Sequence, residues 1–139
     1  MTFCDSPGSS SPRRHLIGYL VASLLRAPYF YGLYGTFLQE QGSSGGLREN
    51  VEGWREAALS KQDQATLEFV EQLTFSAHTV TQQKVNRLLA AGLSEPEVLD
   101  IIVLTSFLNC FCRVANSLGV PLDPSSRSFY EEFKSALRQ

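Results

Sequence analysis

The chain is 139 residues long, enough for one domain with a sizeable core and too short for two of ordinary size. Hydrophobic residues make up 43% and charged residues 19%, which excludes an intrinsically disordered chain. Twelve Lys/Arg against fourteen Asp/Glu leave a net charge of -2, no basic excess with which to track a phosphate backbone, so no nucleic-acid partner is expected.

Residues 1–12 open the chain with a Ser/Pro/Gly-rich stretch, expected to be a disordered leader before a single domain over residues 13–139. Arg13-Arg14 and the apolar run Leu16 to Leu25 follow, then Arg26-Ala27-Pro28 and the aromatic-rich Tyr29 to Leu38. A secretory signal has this order of basic and apolar parts, but Arg26 follows the run directly and no small-residue cleavage site is present. A membrane span over Leu16 to Leu38 would hold Arg26 near its middle and be broken at Pro28, so no stable span is expected. An organelle transit peptide also suits an acid-poor start containing Arg and Ser. The preferred reading is two short core helices broken at Pro28.

After the connector Gly42 to Gly46, the residues Leu47, Val51, Trp54 and Ala58 mark one face of a helix. Ser60 with Asp63 predicts the start of a helix over Lys61 to Leu73. Thr79 with Gln82 repeats that start, and Gly92 is a left-handed stop. Ser94 with Glu97 opens the longest helix, Pro96 sits in its first turn, and Gly119 and Pro121 end it near Leu118. A last helix over Ser128 to Leu137 carries Phe129, Phe133 and Leu137 at four-residue spacing. Ile101 to Leu104 is β-prone, yet lies inside the capped long helix, and a buried helix is apolar all round. No segment reads as a strand, so the fold class is all-α.

Three blocks then carry a resemblance: Gly53 to Ser60, Leu67 to Thr74, and Asn109 followed by Arg113 to Val120. Between the second and third lie Val80-Thr81, opening a helix, and Leu89 to Ser94. In this order and spacing they resemble the carboxymuconolactone decarboxylase / AhpD-like superfamily, nearest to its peroxidase-related branch, over residues 51–123. The resemblance implies an AhpD-like helical bundle that forms homo-oligomers. It also implies antioxidant thiol-peroxidase chemistry by a Cys-x-x-Cys pair and a following His, in which one thiolate attacks the peroxide and the other resolves the sulfenic acid. The corresponding helix lies within Leu25 to Gln41, a window with no cysteine and no histidine. Tyr31-Gly32-Leu33-Tyr34-Gly35-Thr36-Phe37 stands there instead, so the dithiol centre is expected to be missing and no family residue carries over.

The three cysteines, an odd number, form no disulfide framework and point to a reducing, cytoplasmic compartment. Cys110 and Cys112 are two apart on a helix, so their side chains diverge by about 200° and neither bridge nor share a metal. Both read as small core hydrophobes. The competing reading is a single-cysteine hydroperoxide reductase using Cys112 or Cys110 with an external thiol, Arg113 activating the thiolate. His78 lies in the connection Phe75 to Val80, exposed or reaching a site across a subunit interface; His15 reads as solvated. No metal site and no cofactor are expected, since the histidines are far apart and no phosphate-binding glycine loop is present. The aromatic cluster Tyr19, Tyr29, Phe30, Tyr31, Tyr34 and Phe37 is either core and interface packing or the lining of a pocket for a small apolar ligand. The function read from these residues is a non-redox oligomeric scaffold or small-ligand binder on an AhpD-like frame.

Overall fold

The first helix, α1 (Ser11–Leu24), is the hub of the bundle in a computed structural model that describes residues 11–40, 53–56 and 58–121. Leu16, Ile17, Tyr19, Leu20, Val21 and Ala22 are all at most 3% exposed. Three other helices surround α1: α2 (Pro28–Glu40), α3 (Lys61–Ser76) and α5 (Glu95–Leu118). Central burial is why this stretch reads as an unbroken apolar run. The short α4 (Gln82–Ala90) packs on α3 and α5. Among the described residues there is no strand, and the fold is all-helical, as the sequence predicts. Helix α1 begins at Ser11, inside the stretch read as leader, and residues 1–10 lie outside the described residues.

α1 and α2 form an antiparallel hairpin, since Tyr19 meets Tyr31, Gly18 meets Tyr34 and His15 meets Phe37. The run Leu16 to Leu38 is therefore folded back on itself within the bundle. The reversal is a Schellman turn: Ala27 N–H donates to the Ala22 carbonyl at 2.9 Å and Arg26 N–H to that of Ser23 at 3.2 Å. Arg26 takes the left-handed position with φ +52°, where glycine is the residue of lowest cost. Pro28 then opens α2, where no intrahelical donor is needed. Arg26→Gly is expected to stabilise the protein by about 1 kcal/mol in chemical denaturation. A loss of stability would show that the exposed arginine side chain makes contacts that outweigh the backbone strain.

The caps fall largely where the sequence puts them. Ser60 accepts from Asp63 N–H at 3.1 Å, and Ser94 with Glu97 makes a full capping box on α5. Gly92 and Gly119 both adopt positive φ, at +101° and +64°. The exception is Thr79, which sits in a 3-10 turn (Ala77–Thr79) rather than capping a helix. Its hydroxyl donates to the Ser76 carbonyl at 2.7 Å and accepts from Gln72 at 2.7 Å, and α4 starts after Thr81, whose side chain makes no capping bond. The local turn satisfies the hydroxyl before a helix can use it. The helix expected over Leu47 to Ala58 falls mostly outside the described residues; the described residues 53–56 of that span form a turn, with Glu56 N–H donating to the Gly53 carbonyl at 3.0 Å. The helix expected over Ser128 to Leu137 lies wholly outside them.

Helix α5 departs from expectation in one respect. Val98, Ile101, Thr105, Leu108, Cys112 and Ala115 face the core, but Leu99, Phe107, Phe111, Val114 and Leu118 are exposed. Its all-round apolar character therefore does not come from burial alone. By length and composition α5 also qualifies as a membrane-crossing helix, with a third of its apolar window buried in the bundle.

Candidate functional site

The two thiols on α5 diverge as their spacing requires: Cys110 is exposed and Cys112 is fully buried. Cys112 belongs to the core cluster with Ile101, Leu108 and their neighbours. Burial pushes its thiol up to about 12, and the opposing Arg113 charge does not offset it. Arg113 is engaged elsewhere, donating to Asn109 Oδ1 at 2.6 Å while Asn109 Nδ2 donates to Thr74 Oγ1 at 3.1 Å. A thiol held neutral has no nucleophilic thiolate at physiological pH. His78 is exposed on the 3-10 turn, and no group of three His, Cys, Asp or Glu suited to a metal occurs among the described residues. Cys110 and Cys112 thus lie in opposite surroundings, and His78 sits on a separate element, the 3-10 turn. Native-state alkylation at neutral pH is expected to label Cys110 and to leave Cys112 unmodified until the protein unfolds. Equal labelling of the two in peptide mapping would show that Cys112 is reachable.

His15 is not solvated, as the sequence suggests, but half-buried on α1 beside the α2 rings. Its ring lies 4.9 Å from that of Phe37 and 6.2 Å from that of Tyr34, and its buried Nδ1 has no hydrogen-bond partner among the described residues. One turn further, Tyr19 and Tyr31 are both buried, with rings 4.5 Å apart and hydroxyls 2.6 Å apart. Such a bond satisfies a polar group that would otherwise be costly at the centre of an apolar bundle. The segment in which the resemblance expects thiols and an imidazole is thus filled by a packed aromatic layer.

Phe30 and Tyr34 are half-buried at the edge of the core. Phe30 and Tyr34, one turn apart on α2, form one wall of an open cleft, and Leu104, Phe107, Leu108 and Phe111 of α5 form the other. Its volume is about 430 Å³. Tyr34 is fixed from behind by Gly18, where a Cβ would fall 2.6 Å from three of its ring atoms. The aromatic cluster therefore divides, Tyr19 and Tyr31 to the core, Phe30 and Tyr34 to a cleft. Spacing along α2 alone suggests some division, but pairing with α5 is a tertiary fact. Two features escape the sequence reading altogether, Gly18 as the seat of a ring and the outward face of α5. A helical wheel of α5, with apolar residues on two opposed faces, is the signal that could have shown the second.

No family model matches the chain, and no curated protein matches its sequence. Solved structures do match. An uncharacterized peroxidase-related protein from Silicibacter sp. TM1040 superposes with a TM-score of 0.83 at 20% identity, over 94% of this chain and 68% of its own. The alkylhydroperoxidase AhpD core of an uncharacterized peroxidase-related protein from Ralstonia eutropha JMP134 gives 0.80 at 19% identity, over 91% of this chain. The present chain spans 65% of the length of that protein. A protein of unknown function from Agrobacterium tumefaciens, a candidate AhpD antioxidant-defence protein, gives 0.76 at 21% identity, over 84% of this chain and 80% of its own. At these identities the likeness concerns the fold, which is an all-helical bundle of the AhpD type shared with peroxidase-related proteins.

Proposed function

We propose that this chain is a non-redox protein of AhpD-type fold that works as a homo-oligomeric scaffold. The observation that carries this reading is the outward face of α5. Leu99, Val103, Phe107, Val114 and Leu118 follow one another at helical spacing, and Leu118 is 75% exposed. An apolar ridge of this length left in water favours association with a like surface. The packed tyrosines on α2 and the neutral, buried Cys112 support the non-redox part of the reading. A reducing, cytoplasmic setting belongs to the same proposal, supported by the odd number of cysteines, three, which cannot all pair within the chain.

The alternative, a single-cysteine hydroperoxide reductase, is left with Cys110 alone, since Cys112 is inaccessible. Light scattering coupled to gel filtration, together with a peroxide-consumption assay, tests the proposal. An oligomer that Leu118→Asp disperses, with no thiol-dependent peroxide turnover, supports it. A monomer at all concentrations defeats the scaffold reading. Turnover that is lost in Cys110→Ala/Cys112→Ala defeats the non-redox reading.

A further inference from the structure

We propose that the cleft between α2 and α5 is a binding site for an uncharged, flat aromatic molecule of about two fused rings. Its volume of about 430 Å³ lies within the range that accepts small ligands. Four of its six lining residues are aromatic: Phe30 and Tyr34 on one wall, Phe107 and Phe111 on the other. Among the described residues no charged side chain lines it, and the Tyr34 side chain is alone among the six in carrying a polar atom. A charged ligand would lose its hydration there without gaining a counter-charge.

The walls are set before any ligand arrives. The Tyr34 ring is seated on Gly18 and has Phe37 edge-on at 6.1 Å, contacts that favour its place in the cleft wall. The rings of Phe107 and Phe111 are 6.0 Å apart with planes only 14° from parallel. Both are about half exposed, at 48% and 50%. A planar guest would cover these faces and stack against them. Ring-on-ring contact favours such a guest over an aliphatic one of equal area by roughly tenfold. The cleft is concave and bounded by two helices, whereas the face assigned to self-association is the convex ridge of α5. Phe107 and Phe111, at the border of the two, are common to both.

Calorimetric titration of the full chain with 2-naphthol tests the site, with 1-decanol and 2-naphthalenesulfonate as aliphatic and anionic comparators. The expected result is one saturable naphthol site per chain and comparators at least roughly tenfold weaker. Phe111→Ser and Phe30→Ala should each weaken naphthol about tenfold, and Leu99→Ser, on the ridge, should leave it unchanged. Phe111 is half exposed, so its variant keeps the test valid even where Phe30→Ala fails to fold. Absence of saturable binding overturns the proposal. So does equal weakening by Leu99→Ser, or a comparator that binds as well as naphthol. Binding that emerges only once Leu118→Asp has dispersed an oligomer would show a second copy filling the cleft, and would also overturn it.

Discussion

Gly18→Val is expected to destabilise the protein by about 3 kcal/mol, a drop of roughly 10 °C in melting temperature. At Gly18 even a single Cβ falls 2.6 Å from three atoms of the Tyr34 ring, a separation that real Cβ contacts do not show. The ring has no easy retreat, because His15 and Phe37 pack beside it. Either the ring turns out into the α2–α5 cleft or the hairpin opens, and both lose buried contact. The clash predicts strong coupling: combined with Tyr34→Ala, the valine should cost at least about 1 kcal/mol less than it does alone. Additive losses in that double-mutant cycle would mean that the cost arises from the helix backbone and not from the ring.

This glycine illustrates what the sequence shows and what it conceals. Helix ends were legible because their chemistry is local: Ser94 with Glu97, Gly92 and Gly119 each act within one turn of chain. Thr79 failed by the same logic, since a hydroxyl three residues from a carbonyl can bond backward as readily as it caps forward. The break at Arg26–Pro28 was legible from the proline, but the left-handed arginine was not, because arginine carries no signal for positive φ. Nor does a glycine within an apolar run announce which ring will rest on it.

The site was less legible than the fold for the same reason. The divergence of Cys110 and Cys112 follows from helical geometry, whereas which of them is buried depends on where α5 sits against α1 and α3. His15 next to two arginines reads as surface, yet antiparallel pairing of α1 with α2 places it among rings. The cleft needs Phe30 and Tyr34 to meet residues some seventy positions further along the chain, and no local pattern encodes that meeting. What sequence did supply was the absence of cysteine and histidine from Leu25 to Gln41 and the aromatic character that replaces them.

Arg13→Met should cost about 2 kcal/mol at neutral pH, less than the loss of a fully buried pair because its partners keep part of their hydration. Arg13 on α1 reaches the first turns of two other helices. Its Nε donates to Asp63 at 2.8 Å, a terminal nitrogen donates to Gln62 at 2.9 Å, and the other lies 3.8 Å from Glu97. Beside it, Arg14 lies 3.6 Å from Asp100. The carboxylates of Asp63 and Glu97 sit at helix N-termini, where backbone dipoles already favour them, and the arginine holds both ends to the central helix. The Ser94 backbone N–H, then the Ser94 hydroxyl and the Arg13 charge, hold the Glu97 carboxyl below its ordinary value of 4.5 despite partial burial. A depressed folded value means that this stability is present above the unfolded carboxyl value and is lost as pH falls through the folded one. Denaturant titrations at neutral pH and well below 4.5 should therefore show the difference between wild type and Arg13→Met narrowing in acid. Glu97→Gln should flatten the acid limb further than Arg13→Met does, because it removes the titrating group itself. A difference that stays the same at both pH values would mean that Arg13 acts through the packing of its aliphatic stem and not through its charge.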